Sequence, residues 1–326
     1  MTERIPTVSV IMPVHNAEGY LAEAVASILD QTFTDLEFII VNDGSSDGSE
    51  AVIRSFADPR IKLISQTNQG ISGALNSGLA VARGEFIARQ DADDISLPQR
   101  LAKQVAFLRA HPKVGLLGTW TTIVSEDNAP VGAMEHPTED AHLRFAVLFD
   151  TPFAHPTVMF RRDILESVGG YDIAPNIFED FNMWSRMMAH TRGANLPEHL
   201  VRYRLLPTSF SHVTKDRFPR LLKQRLINLR NAFPDISEAM LHATAEYGLR
   251  HGPVPLKLFL PVQGLLNEHI DRTVSDPRMS RSLKRQVRHT MTGYRIIAHR
   301  SLLHRILDRT LKEGLLAWQD VRMLWR

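Results

Sequence analysis

The 326-residue chain contains no cysteine, so disulfides and thiolate-bound metals are excluded. It also lacks a long apolar run, since none approaches the roughly 18–20 residues that a membrane-spanning helix needs. Its first residues, Met1-Thr2-Glu3-Arg4-Ile5-Pro6, lead straight into a β-branched run without the apolar core of a secretory leader. A cytoplasmic location is the expectation. Internal repeats and low-complexity segments are missing as well. What remains is ordinary globular composition, 44% hydrophobic and 23% charged, enough for one large domain with an extension or for two domains.

Charge is nearly balanced over the whole chain but not along it. Residues 1–214 hold 17 Lys and Arg against 26 Asp and Glu, a net of −9, whereas residues 215–326 hold 21 against 10, a net of +11. The split predicts two regions, an acidic module over 1–214 and a basic, mainly helical extension over 215–326. Between 278 and 312 lie ten Lys and Arg and a single acid, Asp308, set among Leu283, Val287, Ile296, Ile297, Leu302, Leu303 and Ile306. Such a stretch suits an anionic membrane surface, to which the protein would attach peripherally. The alternative is a helical subdomain packing its apolar face on the first region or on a second copy of the chain, making a homo-oligomer. Nucleic acid is disfavoured as a partner, because aromatics are scarce there and the other region is acidic.

The first region alternates strand and helix signals. Buried strands are predicted at 7–14, 36–41, 61–65, 86–90 and 114–124, with helices at 20–29, 49–56, 71–82 and 98–110 between them. Short connections in that order predict a mainly parallel α/β sheet with helices on both faces. From 131 to 206 the pattern loosens, with helices expected at 139–148, 162–168 and 181–189 and strands at 157–160 and 201–205. Ligands in parallel sheets sit at the carboxyl ends of the strands. His15-Asn16, Asp43 and the run Asp91-Ala92-Asp93-Asp94 all fall there, which points to a nucleotide site.

The acidic run is the strongest local signal. Crowded carboxylates repel and call for a cation, and oxygen ligands favour a hard ion such as Mg²⁺ or Mn²⁺. The bland alternative is an acidic turn before a capped helix.

Five segments in series resemble family 2 glycosyltransferases, inverting enzymes of the GT-A fold, whose Rossmann-like sheet is flanked by helices. They are Val8-Ser9-Val10-Ile11-Met12-Pro13-Val14-His15-Asn16, Val41-Asn42-Asp43-Gly44-Ser45-Ser46-Asp47, the Asn68-Gln69-Gly70 to Gly84-Glu85 stretch, Asp91-Ala92-Asp93-Asp94, and Phe178-Glu179-Asp180 with Trp184. The resemblance covers about residues 6–212 and implies a transferase of polysaccharide biosynthesis. A sugar would pass from a nucleoside-diphosphate donor, UDP in the first instance, to a glycan or lipid-linked acceptor.

The resemblance implies roles residue by residue. Pro13, His15 and Asn16 would border the nucleoside and Asp43 would accept from the base edge, although an Asp there also suits a plain turn. Asn68, Gly70, Gly73 and Asn76 would shape the pocket. Asp93 and Asp91 would hold Mn²⁺ or Mg²⁺, Asp91 also facing the ribose, with His155 or His212 as a third ligand and Asp94 in support or capping the next helix. Asp180 would be the general base and Glu179 would position it, while acids in a helix's first turn are also favoured by the dipole alone. That dipole would keep Asp180 ionised. Trp184 would be an acceptor platform or a core residue. The Gln-x-x-Arg-Trp signature of the processive synthases is missing, which favours transfer of one sugar at a time. Two rivals are a non-catalytic nucleotide-sugar-binding protein and a nucleotidyltransferase. The intact Glu179-Asp180 pair argues against the first. The second would need a Gly-rich loop and a basic residue after the first strand, and Pro13-Val14-His15-Asn16 has neither.

Overall fold

The computed structural model describes residues 4–173, 178–206 and 217–246, together with Gly264. The chain divides into two compact units, Met1–Gln224 and Arg225–Arg326. The basic stretch 278–312 lies outside the described residues.

Strand β1 (Val8–Val14) shows how the first unit is assembled. Its side chains alternate across the sheet, as the period of two in any strand requires. Val8, Val10, Met12 and Val14 join one buried cluster with Leu21, Val25 and Ile28 of α1 (Glu18–Leu29) and Leu101, Val105 and Leu108 of α4 (Arg100–Ala110). Ile11 faces the other way, toward Leu75 of α3 (Gly70–Val81) and Met183, Trp184 and Met187 of α7 (Glu179–His190). Each such apolar side chain contributes about 1.5–3 kcal/mol by leaving water. Helices therefore cover both faces, as expected.

The sheet has nine strands in the order β3-β2-β1-β4-β8-β6-β9-β5, with β7 paired to β6. β2 (Leu36–Asp43), β3 (Ile61–Gln66) and β4 (Phe86–Arg89) run parallel to β1 or to each other, and β6 (Val114–Val124) runs parallel to β9 (Arg192–Arg204). The longest pairings are all parallel. The chain crosses from β3 on one side of β1 to β4 on the other, and such a switch in strand order opens a crevice at the carboxyl ends. The short strands β5 (Ile95–Ser96), β7 (Pro130–Met134) and β8 (Met159–Arg161) pair antiparallel.

The second half departs from expectation in detail. The strand expected at 201–205 is the end of β9, which begins at Arg192. Pro197 and Glu198 disguise it, and they sit where the β6–β9 register slips between Leu196 and His199, a bulge that tolerates proline. The strand expected at 157–160 is split into a 3₁₀ turn, His155–Thr157, followed by β8. The remaining helices of this unit are α2 (Ser49–Ser55), α5 (Asp140–Ala146) and α6 (Arg162–Val168), and α8 (Arg217–Ala232) and α9 (Glu238–Glu246) follow.

Candidate active site

A cleft of about 490 Å³ opens at the carboxyl ends of β1, β2 and β4, and its lining includes Pro13, His15, Asn16, Asp43, Asn68 and Gly70 as well as Asp91 and Asp93. Residues scattered over 80 positions of sequence thus share one wall. The loop after β1 is tied to the loop after β2: Asn16 adopts φ 50°, a left-handed conformation that Asn tolerates. Its Oδ1 accepts from the Ser46 N–H at 2.8 Å, and its own N–H donates to Ser45 Oγ at 3.1 Å. His15 Nδ1 donates to the Asp43 carbonyl at 2.9 Å, leaving Nε2 to accept from Asn68 Nδ2 at 3.3 Å. The Asp43 side chain is nearly buried, and its Oδ1 accepts from Gln66 Nε2 at 2.7 Å and the Gln69 N–H at 2.9 Å. Gly44, at φ +70°, lets these loops meet, because a Cβ there would stand 2.8 Å from the Asn68 nitrogen.

Two residues expected in this pocket are used elsewhere. Asn76 clamps a loop from the far half of the unit, donating to the Tyr171 carbonyl at 2.8 Å and accepting from its N–H at 2.7 Å. Gly73 is buried within α3 beneath Gln69, where a Cβ would come 2.6 Å from the Gln69 Cβ. Neither lines the cleft.

The acidic turn is braced from below by polar side chains with no exposure to speak of. Gln90 donates to the carbonyls of Asp91 at 3.1 Å and Asp94 at 2.8 Å, and accepts from Ser96 Oγ at 2.7 Å and Arg100 Nη1 at 2.9 Å. Arg100 also donates to the Arg89 carbonyl at 2.7 Å, and burial beside Arg89 lowers its pKa to about 9. Gln90→Ala would leave the buried Asp94 carbonyl and the Ser96 O–H without their partners and take one of two acceptors from Arg100 Nη1, which still donates to Ser96 Oγ at 2.8 Å, at a cost of about 2–4 kcal/mol. A thermal melt should show Tm falling by roughly 5–15 °C, and an unchanged Tm would remove the network from any role in holding the turn.

On this support the side-chain oxygens of Asp91, Asp93 and Asp94 come within 4.8 Å of one another. Burial, then the nearby charge of Asp91, pushes Asp93 up to about 6. Asp94 is raised well above the usual carboxylate range by burial and by both neighbours. Its Oδ1 accepts from the Arg204 N–H at 2.8 Å, whereas its buried Oδ2 has no partner. Asp94 thus ties the turn to the end of β9 and does not cap α4, whose N-cap is Gln99. A compact set of carboxylates with raised proton affinity and an orphaned oxygen fits a hard divalent cation, which would favour their ionised forms. The protein supplies part of the counter-charge itself. Arg204 donates to the Asp93 carbonyl at 3.0 Å, and Arg89 is ion-paired with Asp91.

Sequence reasoning missed Arg89. It is the last residue of β4, only 2% exposed, and its Nε has no hydrogen-bond partner. The available signal was its place two residues before Asp91 on a buried strand, but an arginine at a strand's end is normally read as solvated.

Glu179 and Asp180 stand in the first turn of α7. Burial overrides the helix dipole here, so the expectation of a plainly ionised Asp180 is corrected. Burial first, then the neighbouring Glu179, raises Asp180 to about 7, while the Phe181 N–H and then the charge of Arg89 oppose the rise. Asp180 Oδ1 accepts from the Phe181 N–H at 2.6 Å. Glu179 is raised by burial, with Arg89 and Arg220 working in the opposite direction.

Trp184 has no exposed surface and packs edge-on against His155, with ring centroids 5.6 Å apart, and against Tyr171 at 6.2 Å. So enclosed a ring offers no face to an acceptor sugar, and it is a core residue. His155 lies outside the carboxylate cluster. Its Nε2 is 3.1 Å from the Tyr171 hydroxyl, and burial with Arg89 close by keeps it neutral. His212 lies outside the described residues.

The sequence model of glycosyl transferase family 2 matches residues 9–169. EpsE of Bacillus subtilis is 38% identical over 206 residues, which cover 61% of this chain and 73% of that protein. The O-antigen biosynthesis glycosyltransferase WbnJ of Escherichia coli is 32% identical over 61% of this chain and 79% of its own length. Among solved structures, that of S. aureus TarS 1-349 in complex with UDP-GlcNAc superposes with a TM-score of 0.61 over 94% of this chain and 92% of that one. At 19% identity it shows the fold, which is the expected GT-A type. Five motifs in one order, a shared cleft at the strand ends and relatives matched over most of their length agree: the chain belongs to glycosyl transferase family 2 and is a glycosyltransferase.

Proposed function

We propose that this glycosyltransferase moves one sugar per turnover from a nucleoside-diphosphate donor, UDP-linked in the first instance, to a hydroxyl of a glycan or lipid-linked acceptor, with inversion at C1. The observation that carries the reading is the single cleft into which Asp43, His15 and Asn68 project beside Asp91 and Asp93. Polar groups for a nucleoside stand next to carboxylates suited to a metal-bound diphosphate. The O-antigen pathway in the name of WbnJ supports a surface polysaccharide as the destination.

Asp180 takes the proton of the acceptor hydroxyl as its oxygen attacks C1, and the bond from C1 to the diphosphate breaks on the opposite side. A base with a pKa near 7 combines useful ionisation with useful proton affinity at neutral pH. Asp93 and Asp91 would hold a Mn²⁺ or Mg²⁺, whose chemistry is to offset the charge that builds on the departing diphosphate. Asp43 accepts from the base edge, and its two fixed donors, Gln66 and Gln69, hold its carboxylate in one orientation. No described helix is long and apolar enough to cross a membrane, which suits a transferase that adds single sugars.

A screen of nucleoside-diphosphate sugars with Mn²⁺, with Mg²⁺ and with EDTA, read by release of nucleoside diphosphate, tests the reading. One donor class should give metal-dependent release that an acceptor hydroxyl accelerates. If no nucleotide sugar bound or turned over under any condition, the donor assignment would fail.

A further inference from the structure

We propose that Gln66 is the positioning residue that decides which nucleobase this cleft accepts. It occupies one oxygen of Asp43 from behind and leaves the other, Oδ2, as the single acceptor. Uracil, whose edge offers one ring N–H, is thereby favoured over guanine, which offers two N–H groups side by side. The inference deepens the reading of Asp43 as the contact to the base edge and rests on it.

The placement begins in the sheet. Asp43 ends β2 and Gln66 ends β3, and the two stand opposite each other in the parallel register. Gln66 Nε2 donates to Asp43 Oδ1 at 2.7 Å, and Gln66 Oε1 accepts from Ser77 Oγ of α3 at 2.6 Å. These two bonds fix the amide, because a flipped amide would set Oε1 against the Asp43 carboxylate, acceptor to acceptor. Neither Gln66 nor Ser77 lines the cleft, so both act through Asp43, which does.

A carboxylate oxygen has two lone pairs. Both at Oδ1 are taken, by Gln66 Nε2 at 2.7 Å and by the Gln69 N–H at 2.9 Å. Among the described residues these are the donors to the Asp43 side chain, and both reach Oδ1, so Oδ2 is left for a ligand in the cleft. The N1–H and N2–H of guanine lie parallel and match a carboxylate that can offer both of its oxygens. With Oδ1 saturated, one of them would be desolvated without a partner, and polar sites reject such a ligand strongly. Uracil places its single N–H on Oδ2 and leaves no donor unmet. The Gln69 donor is main chain, so Gln66 is the one that a substitution removes.

UDP and GDP are titrated calorimetrically into the full chain in one Mn²⁺ buffer. Diphosphate and metal are then common to both, and the ratio of the two Kd values reports the base. The wild type should bind UDP more tightly by about 10–100-fold. Gln66→Met keeps the length of the side chain without its amide and frees a lone pair on Oδ1. It should lower the ratio about tenfold, weakening UDP and strengthening GDP. Ser77→Ala releases the amide but leaves it in place, and should lower the ratio about threefold, which keeps the test open if Gln66→Met fails to fold. Size alone separates a purine from a pyrimidine in every variant alike, so the change in the ratio decides. A wild type that prefers GDP would overturn the proposal. So would a ratio that stays at its wild-type value in the folded variants, even if both affinities fell, because the role of Gln66 would then be structural. Asp43→Ala separates this inference from the reading beneath it, and should weaken UDP at least about tenfold. UDP affinity untouched in Asp43→Ala would overturn the base contact itself, whatever the Gln66 variants did.

Discussion

Asp180→Asn should lower transfer by roughly 10²–10⁴-fold, the usual contribution of a general base, and leave affinity for the nucleotide sugar within twofold. The asymmetry follows from placement. The nucleotide cleft is lined from β1, β2, α3 and the acidic turn, and Asp180 is not part of its lining. The fold should survive, since an Asn Oδ1 can still accept from the Phe181 N–H that Asp180 holds at 2.6 Å. Near-normal transfer in the variant, or a defect confined to donor binding, would show the assignment to be wrong.

The same residue predicts opposite pH trends for activity and stability. The base must be ionised, so wild-type kcat should rise about tenfold per pH unit below the Asp180 value of about 7 and level off above it. Stability runs the other way. The folded pKa lies above the unfolded value near 3.8, so the folded state binds the proton more tightly. That contribution is fully present below about 3.8 and is lost as pH rises through 7. Asp180→Asn removes the penalty and should melt no lower than the wild type at pH 8. A loss of activity without a loss of Tm separates chemistry from folding.

How much was legible in the sequence depends on the range over which each signal acts. β1 and β2 announce themselves because buried parallel strands are continuous β-branched runs, and the 91–94 cluster stands out because crowded carboxylates are chemically costly wherever they occur. Helix α7 is clear for the same local reason, with its buried face repeating at helical spacing. The resemblance put Asn76 at the pocket, whereas it lies within α3 and its partner, Tyr171, is 95 residues away, beyond the reach of any local signal. Strand β9 was hidden by a proline that only the register against β6 accommodates. The proton affinity of Asp180 is higher than expected because the helix dipole, worth about 0.3–1 kcal/mol, competes with desolvation, which is larger for a buried carboxylate. Arg89 is the same lesson in another form: a strand-end arginine reads as solvated, and only the fold encloses it beside Asp91.

Asp93→Ala should cost more than about 100-fold in transfer, and EDTA should do the same to the wild type, because the departing diphosphate would lose its counter-charge. Unlike Asp180→Asn, this variant should also bind the nucleotide sugar more weakly, since the charge that repels the diphosphate from Asp91 would be left standing. A readout apart from turnover comes from the carboxylates themselves. Burial and the charge of Asp91 raise Asp93 to about 6, so the folded cluster holds a proton that the unfolded chain releases near 3.8. Stability from that proton is present below 3.8 and is lost as pH rises through 6. Mn²⁺ competes for the same oxygens, so its stabilising effect should be small at pH 5 and grow above pH 6. At a hundredfold excess over its Kd it should add about 2.7 kcal/mol, seen as a rise in Tm. Asp93→Ala should show little of that rise at any pH. Full turnover in EDTA, or an undiminished Mn²⁺-induced rise in the variant, would remove Asp93 from the metal site and leave the turn as a structural device held by Arg89 and Arg204.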